Sequence, residues 1–294
     1  MSRISQIKLA RKAIELYFDE IKQNVFNKRQ LECIFYHKNS SWKLGYTYSF
    51  DKFLTFLQSN LYLKTIEFSN IVLYVWKMDN INNFIYEIAL MIKPKSYISH
   101  YTAMFLQNLT EQVPKIIYVT YERTNTLPIR KTDLSQSSID SAFQKDERIS
   151  RNIYELDGFK IILISSPRSN KIGIINYTLP SNVQIPITNT ERTLLDITVR
   201  PTLSGGVLEI AKAYTNALSK LQVVKLKSYL LKMQYIYPYQ QAVGFYLAYA
   251  GLPEKRLHRI EAICDNRFDF YLDRKMNHPS YSKRWRIYYP KYLT

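Results

Sequence analysis

Few residues in this 294-residue sequence have the types and spacing that chemistry requires. Arg192 and Asp196 are four apart, a spacing that puts both on one face of a helix and allows an ion pair. Exposed pairs of this kind contribute only ~0.3–0.5 kcal/mol. Thr188 followed three residues later by Glu191 reads as a capping box that starts the same helix. Thr188, Glu191, Arg192 and Asp196 are therefore expected to be structural. A second set has the chemistry of nucleic-acid contact. Lys28 and Arg29 open one predicted helix, Lys43, Thr47, Tyr48, Ser49 and Lys52 surround the start of the next, and Asn70 sits in a hairpin turn. Hydroxyls and lysines at a helix N-terminus suit phosphates and base edges. The remaining acids, Asp133, Asp146, Glu147, Asp157 and Asp273, are scattered and suggest no nuclease cluster. His100 has no second ligand type beside it and is expected to be a hydrogen-bonded structural residue. The sequence contains no GxGxxG, phosphate loop, HExxH, CxxC, HxH or GxSxG, so catalytic residues, metal sites and cofactors are not predicted.

The elements that position these residues follow from periodicity. Ile7, Ala10, Ile14, Phe18 and Ile21 form a helical stripe. Asn27 is placed to cap a second helix through Gln30, Leu31, Ile34 and Phe35. Ser49 is placed to cap a third, with Phe50, Phe53, Leu54 and Leu57 inward. The period then becomes strand-like over 61–68 and 71–76, flanking the turn Ser69-Asn70. Three helices followed by a hairpin is the order of a winged helix-turn-helix, whose second helix of the pair enters the major groove by its N-terminal end. Residues 1–78 are thus expected to be a DNA-binding domain, and 79–294 a larger domain. In the latter, helices are expected over 81–92 and 96–109, the second with Ile98, Tyr101, Phe105 and Leu109 on one stripe. Strands follow over 115–121, 152–154, 159–164 and 172–178, and a polar stretch from Asp133 turns helical around Ile139 and Phe143. The capped helix ends before Pro201. Ser204-Gly205-Gly206 opens the next, and further helices span 223–235, 240–250 and 255–260. Two strands, 267–272 and 284–289, close the chain. The fold class expected is α+β, an N-terminal winged helix-turn-helix followed by a larger mixed α+β domain.

Composition narrows the partners. There are 41 Lys and Arg against 24 Asp and Glu, a formal net charge of +17, which favours polyanions, nucleic acid first among them. The excess is spread out: 12 basic against 7 acidic residues in 1–80, and 10 against 5 in 251–294. Hydrophobic residues make up 46%, enough for a sizeable core. Cys33 and Cys264 are the only cysteines and fit a reducing compartment, so a cytoplasmic location is expected. Neither a signal core nor an 18-residue apolar run is present, and no membrane partner is expected.

Two stretches carry a family likeness. One is Tyr97-Ile-Ser-His-Tyr-Thr-Ala103 with Leu109-Thr-Glu-Gln-Val-Pro114. The other is Ile187-Thr-Asn-Thr-Glu-Arg-Thr-Leu-Leu-Asp196 with Arg200-Pro201 and Gly205-Gly206-Val207. Together with the tail Phe268-Asp-Phe-Tyr-Leu-Asp273 and Trp285-Arg-Ile-Tyr-Tyr-Pro290, they resemble the AbiEi-type antitoxin family of bacterial abortive-infection toxin–antitoxin systems. The resemblance covers about residues 85–290. It implies an N-terminal winged helix that binds double-stranded operator DNA and represses its own operon. It also implies a C-terminal domain that counteracts a nucleotidyltransferase-like toxin encoded beside it, without a stable complex between the two. The leading reading is thus a non-enzymatic antitoxin and autorepressor. A stand-alone winged-helix regulator with no toxin partner stays open, as does a nucleic-acid-processing enzyme.

Overall fold

A computed structural model describes residues 6–124 and 134–293. Asp133 lies outside the described residues. The chain divides into two compact units. The first comprises Met1–Lys95 with Tyr154–Asp157 and Tyr177–Ile185; the second comprises Ser96–Ile153, Gly158–Asn176 and Pro186–Thr294. The architecture is mixed α+β.

The first unit begins with α1 (Gln6–Glu20), β1 (Val25–Asn27), α2 (Lys28–Lys38) and α3 (Phe50–Asn60), followed by β2 (Leu63–Phe68) and β3 (Ile71–Trp76). Asn27 caps α2 in a full capping box with Gln30, and Ser49 caps α3 by accepting from the Lys52 amide. The α1 stripe buries Ile7, Ala10, Ile14 and Phe18, whereas Ile21 falls beyond the helix end. In α3, Phe56 joins Phe50, Phe53 and Leu57 in the core, and Leu54 stays half-buried. Aromatic rings dominate the packing: Phe18 stacks on Trp76 at 4.9 Å and Trp42 on Phe53 at 5.4 Å. Such pairs add about 0.5–1.5 kcal/mol beyond burial. The hairpin runs in register from Leu63 opposite Trp76 to Phe68 opposite Ile71. Periodicity missed β1, a three-residue strand that pairs antiparallel with β3 and completes the order β1-β3-β2. Three residues are too few for a period to be visible. After a 3₁₀ turn at Ile81–Asn83, α4 spans Ile85–Ile92 and buries Glu87, which accepts from the Asn24 amide and side chain at 3.3 Å.

The second unit contributes β4 (Tyr97–Ile98), α5 (His100–Leu106), β5 (Ile116–Glu122) and α6 (Gln136–Phe143). Next come β6 (Ile153–Leu156), most of which belongs to the first unit, β7 (Phe159–Ser166), β8 (Ile174–Thr178) and β9 (Gln184–Thr188), the end of β8 and the start of β9 also falling in the first unit. The strand order is β6-β7-β5-β4-β9-β8. Within it β5 and β7 run parallel over seven residue pairs. The single helix expected over 96–109 is corrected. Tyr97 and Ile98 form a strand paired with Thr120 and Val119 on one side, and Ile98 with Ile187 on the other. The gain from completing a buried sheet outweighs a local helical period.

Helices α7 (Thr190–Val199), α8 (Val207–Ala217), α9 (Val223–Met233), α10 (Tyr239–Tyr249) and α11 (Glu254–Glu261) build the main core, with Tyr214 stacked on Tyr246 at 5.0 Å. A small sheet of β10 (Phe270–Tyr271), β11 (Ser280–Ser282) and β12 (Ile287–Tyr289), in the order β10-β12-β11, packs on α10. Gly244 of α10 is required there: a Cβ would lie 2.1 Å from the Trp285 ring. No described helix is long and apolar enough to cross a membrane.

Candidate nucleic-acid interface and the buried polar motif

The N-terminal ends of α2 and α3 carry most of the expected contact residues. Asn27 and Ser49 cap these ends in extended conformation; Lys28 and Arg29 at the start of α2 are exposed, whereas Phe50 at the start of α3 is buried and Lys52 is exposed. Lys28, Arg29, Lys43, Thr47, Ser49 and Lys52 are all exposed. The Lys28 Nζ lies 5.9 Å from the centre of the Phe50 ring, a cation–π contact that brings the start of α2 beside the start of α3. Lys43 has a left-handed backbone (φ 54°) in the bend that leads to α3, and its amide donates to Ser40. Tyr48 turns inward instead. It is half-buried, its hydroxyl donates to the Lys52 carbonyl at 3.4 Å, and burial raises its pKa. Asn70 is exposed in the turn of the β2–β3 hairpin, elsewhere on the same unit. Tyr46, between Lys43 and Thr47, is fully exposed, whereas Trp42 and Leu44 of the same connection are buried.

The Arg192 region is a different kind of place. The capping box expected at Thr188 is corrected: the cap is Asn189, whose side chain accepts from the Arg192 amide at 3.0 Å. Thr188 ends β9, and its hydroxyl lies 2.7 Å from that of Thr193. Glu191 does not reach back to the cap. It accepts from the Gln222 amide at 3.0 Å and pairs with Lys225 at 3.2 Å, tying α7 to the start of α9. Arg192 and Asp196 do pair, at 2.7 Å, but in the interior rather than at the surface. The Arg192 guanidinium also donates to Ser169 Oγ (3.1 Å), the Ile172 carbonyl (2.8 Å) and the Tyr97 hydroxyl (3.3 Å). Gly173 makes this approach possible, because a Cβ there would meet Arg192 Cβ at 2.6 Å.

Burial pushes the Asp196 carboxyl up, against the pull of Arg192, and Glu122 adds to the rise. Burial likewise raises the Tyr97 hydroxyl to about 12. Asp196 Oδ2 and the Tyr235 hydroxyl are both buried without a hydrogen-bond partner among the described residues. The arrangement fixes α7 against β4 and the connection between β7 and β8, and four of the five guanidinium N–H donors are spent on protein acceptors. Among the described residues there is no group of three metal-ligating side chains.

His100 sits at the start of α5 with a left-handed backbone (φ 51°). Its Nδ1 lies 2.8 Å from Ser99 Oγ, which lies 2.6 Å from Thr120 Oγ1. Burial, then the charges of Arg200 and Arg192, lower its pKa to about 3, so the ring is neutral. The hydrogen-bonded structural role expected for it matches this geometry. Of the scattered acids, Glu147 pairs with Arg200 and Asp146 with Lys275, and burial together with the Glu147 charge raises the Asp273 carboxyl.

Comparison with known proteins gives a likeness of fold. No family model matches the chain, and no curated protein matches it. The crystal structure of the Rv2827c protein from Mycobacterium tuberculosis aligns with a TM-score of 0.60, covering 95% of this chain and 91% of that one, at 10% sequence identity. The similarity therefore extends through both compact units, as one of backbone arrangement.

Proposed function

We propose that the protein is an AbiEi-like antitoxin that also binds operator DNA and represses its own operon, counteracting a nucleotidyltransferase-like toxin. The observation that carries the DNA half is the exposed, capped pair of helix starts. Lys28, Arg29, Lys43, Thr47 and Lys52 stand there in solvent, and Lys28 spans the two helices over Phe50. A helix N-terminus with free hydroxyls and lysines favours phosphate. The order helix, strand, helix, helix and hairpin supports a winged helix-turn-helix in which α3 is the recognition helix. The antitoxin half rests on the resemblance of the segments 97–114 and 187–207, which form the strand–helix framework of the second unit.

A gel shift with the protein's own upstream region tests the first half. Sequence-specific retardation at ~150 mM salt is expected, and binding no tighter than to random duplex would refute it. Co-expression with the gene adjoining the operon tests the second half: growth rescue is expected, and unrelieved toxicity would count against it.

A further inference from the structure

The first unit contains a cleft whose chemistry is opposite to that of the chain around it. It opens between the end of α1, the end of β3 and the turn that precedes α4, with a cavity of about 620 Å³. That volume is within the range of small-molecule sites, about 300–1,000 Å³. Its walls are aromatic, from Trp76, Phe84 and Tyr86. The charged groups on it are Asp19, Asp79 and Lys77.

Lys77 is already committed. Its Nζ lies 2.7 Å from Asp19 Oδ2 and 3.4 Å from Glu15. Asp19 accepts in addition from the Trp76 indole at 2.8 Å. Burial pushes the Asp19 carboxyl up, but its bonds to Lys77 and Trp76 prevail and hold it below the usual range. Asp79 has no ion pair among the described residues. It is oriented by the Asn80 amide at 2.6 Å and by the Asn83 side chain at 3.2 Å, bonds that also keep it ionised. The cleft's own charged side chains, Asp19 and Asp79 against Lys77, sum to one negative charge in a protein of net charge +17, and Lys64 acts on Asp79 from outside the lining. Phosphate-bearing ligands are repelled there, while an ammonium head is attracted by Asp79 and by the negative faces of the rings. Tyr86 stays neutral, its hydroxyl pushed up to about 12 by burial and by Tyr177, and adds no charge to the count.

We propose that this cleft binds a small organic amine, its cationic head against Asp79 and Asp19 and its apolar body against Phe84 and Tyr86. The site is independent of the DNA reading: none of its lining residues is a proposed phosphate contact.

Calorimetric titration of the full chain with 2-phenylethylamine, and with phenylacetate as an anion of the same shape, tests it. Saturable binding of the amine is expected, with phenylacetate at least about fivefold weaker. Asp79→Asn should weaken the amine about fivefold at an unchanged melting temperature, because Asp79 is exposed. Ser181→Trp, at the exposed rim, should abolish binding by filling the cleft. Absence of saturable amine binding, equal affinity for phenylacetate, or full affinity in Asp79→Asn would each overturn the proposal.

Discussion

The starts of α2 and α3 and the start of α7 use the same residue types to opposite ends. Each is a capped helix N-terminus with charged side chains within one turn, and α3 and α7 add hydroxyls. At α2 and α3 the caps are Asn27 and Ser49, and the lysines beyond them point into solvent. At α7 the cap is Asn189, and the charged residues beyond it are almost wholly buried, Arg192 at 2% exposure. A charge in solvent keeps its donors for a partner, whereas a buried one must spend them inside the protein. The two regions therefore differ in what they can do, although short-range spacing describes them equally well.

The largest effect that sharpens this contrast is at Arg192. Removing one partner of a buried ion pair leaves the other uncompensated, so Arg192→Ala or Asp196→Ala should destabilise the fold by about 3–5 kcal/mol in denaturant unfolding. A loss below about 1 kcal/mol would mean that the pair is surface-like after all.

His100 gives the next effect. Its folded pKa, about 3, lies below the unfolded value of about 6.5. Its contribution is therefore fully present above pH 6.5 and is lost as pH falls toward 3, roughly 2 kcal/mol of it between pH 6.5 and 5. His100→Asn keeps a residue that tolerates the left-handed backbone and should flatten that part of the stability–pH curve. An unaltered slope would contradict a buried neutral histidine.

The caps come third. Asn189→Ala should cost about 1 kcal/mol and Asn27→Ala a similar amount. Thr188→Ala tests the corrected assignment by losing the bond to Thr193 without fraying α7, as read by amide exchange at Arg192. Smallest of all, Lys43→Ala and Lys52→Ala should each change stability by less than about 0.5 kcal/mol, since both side chains are exposed.

Much of the fold was legible in the sequence because its signals are local. Asn27 with Gln30, Ser49, Asp157-Gly158 and Gly206 each mark an element boundary, and the hydrophobic periods of α1, α3 and α8 follow from residues a few places apart. What was not legible depends on distant partners. β1 exists because β3 pairs with it, and β4 because Thr120 and Ile187 flank Tyr97 and Ile98. Thr188 yields the cap to Asn189 because its hydroxyl is drawn to Thr193 and its carbonyl accepts from Gln107. The same limit applies to the sites. The Arg192–Asp196 spacing announced a pair but not its burial, which depends on Ser169, Ile172 and Tyr97, each at least 20 residues from Arg192 in the chain. The acidic cleft drew on Asp19, Trp76 and Asp79, which no motif connects.

The most direct test of the exposed-face account is the salt dependence of binding to the upstream duplex by fluorescence anisotropy. It compares the native chain with the Lys28→Ala, Lys43→Ala, Lys52→Ala triple variant. Each lost phosphate contact should lower the magnitude of the log–log slope by about 0.9, so a fall of about 2 to 3 is predicted, with weaker binding at every salt concentration. An unchanged slope and affinity would place the DNA contact elsewhere and contradict the assignment of these helix starts as the interface.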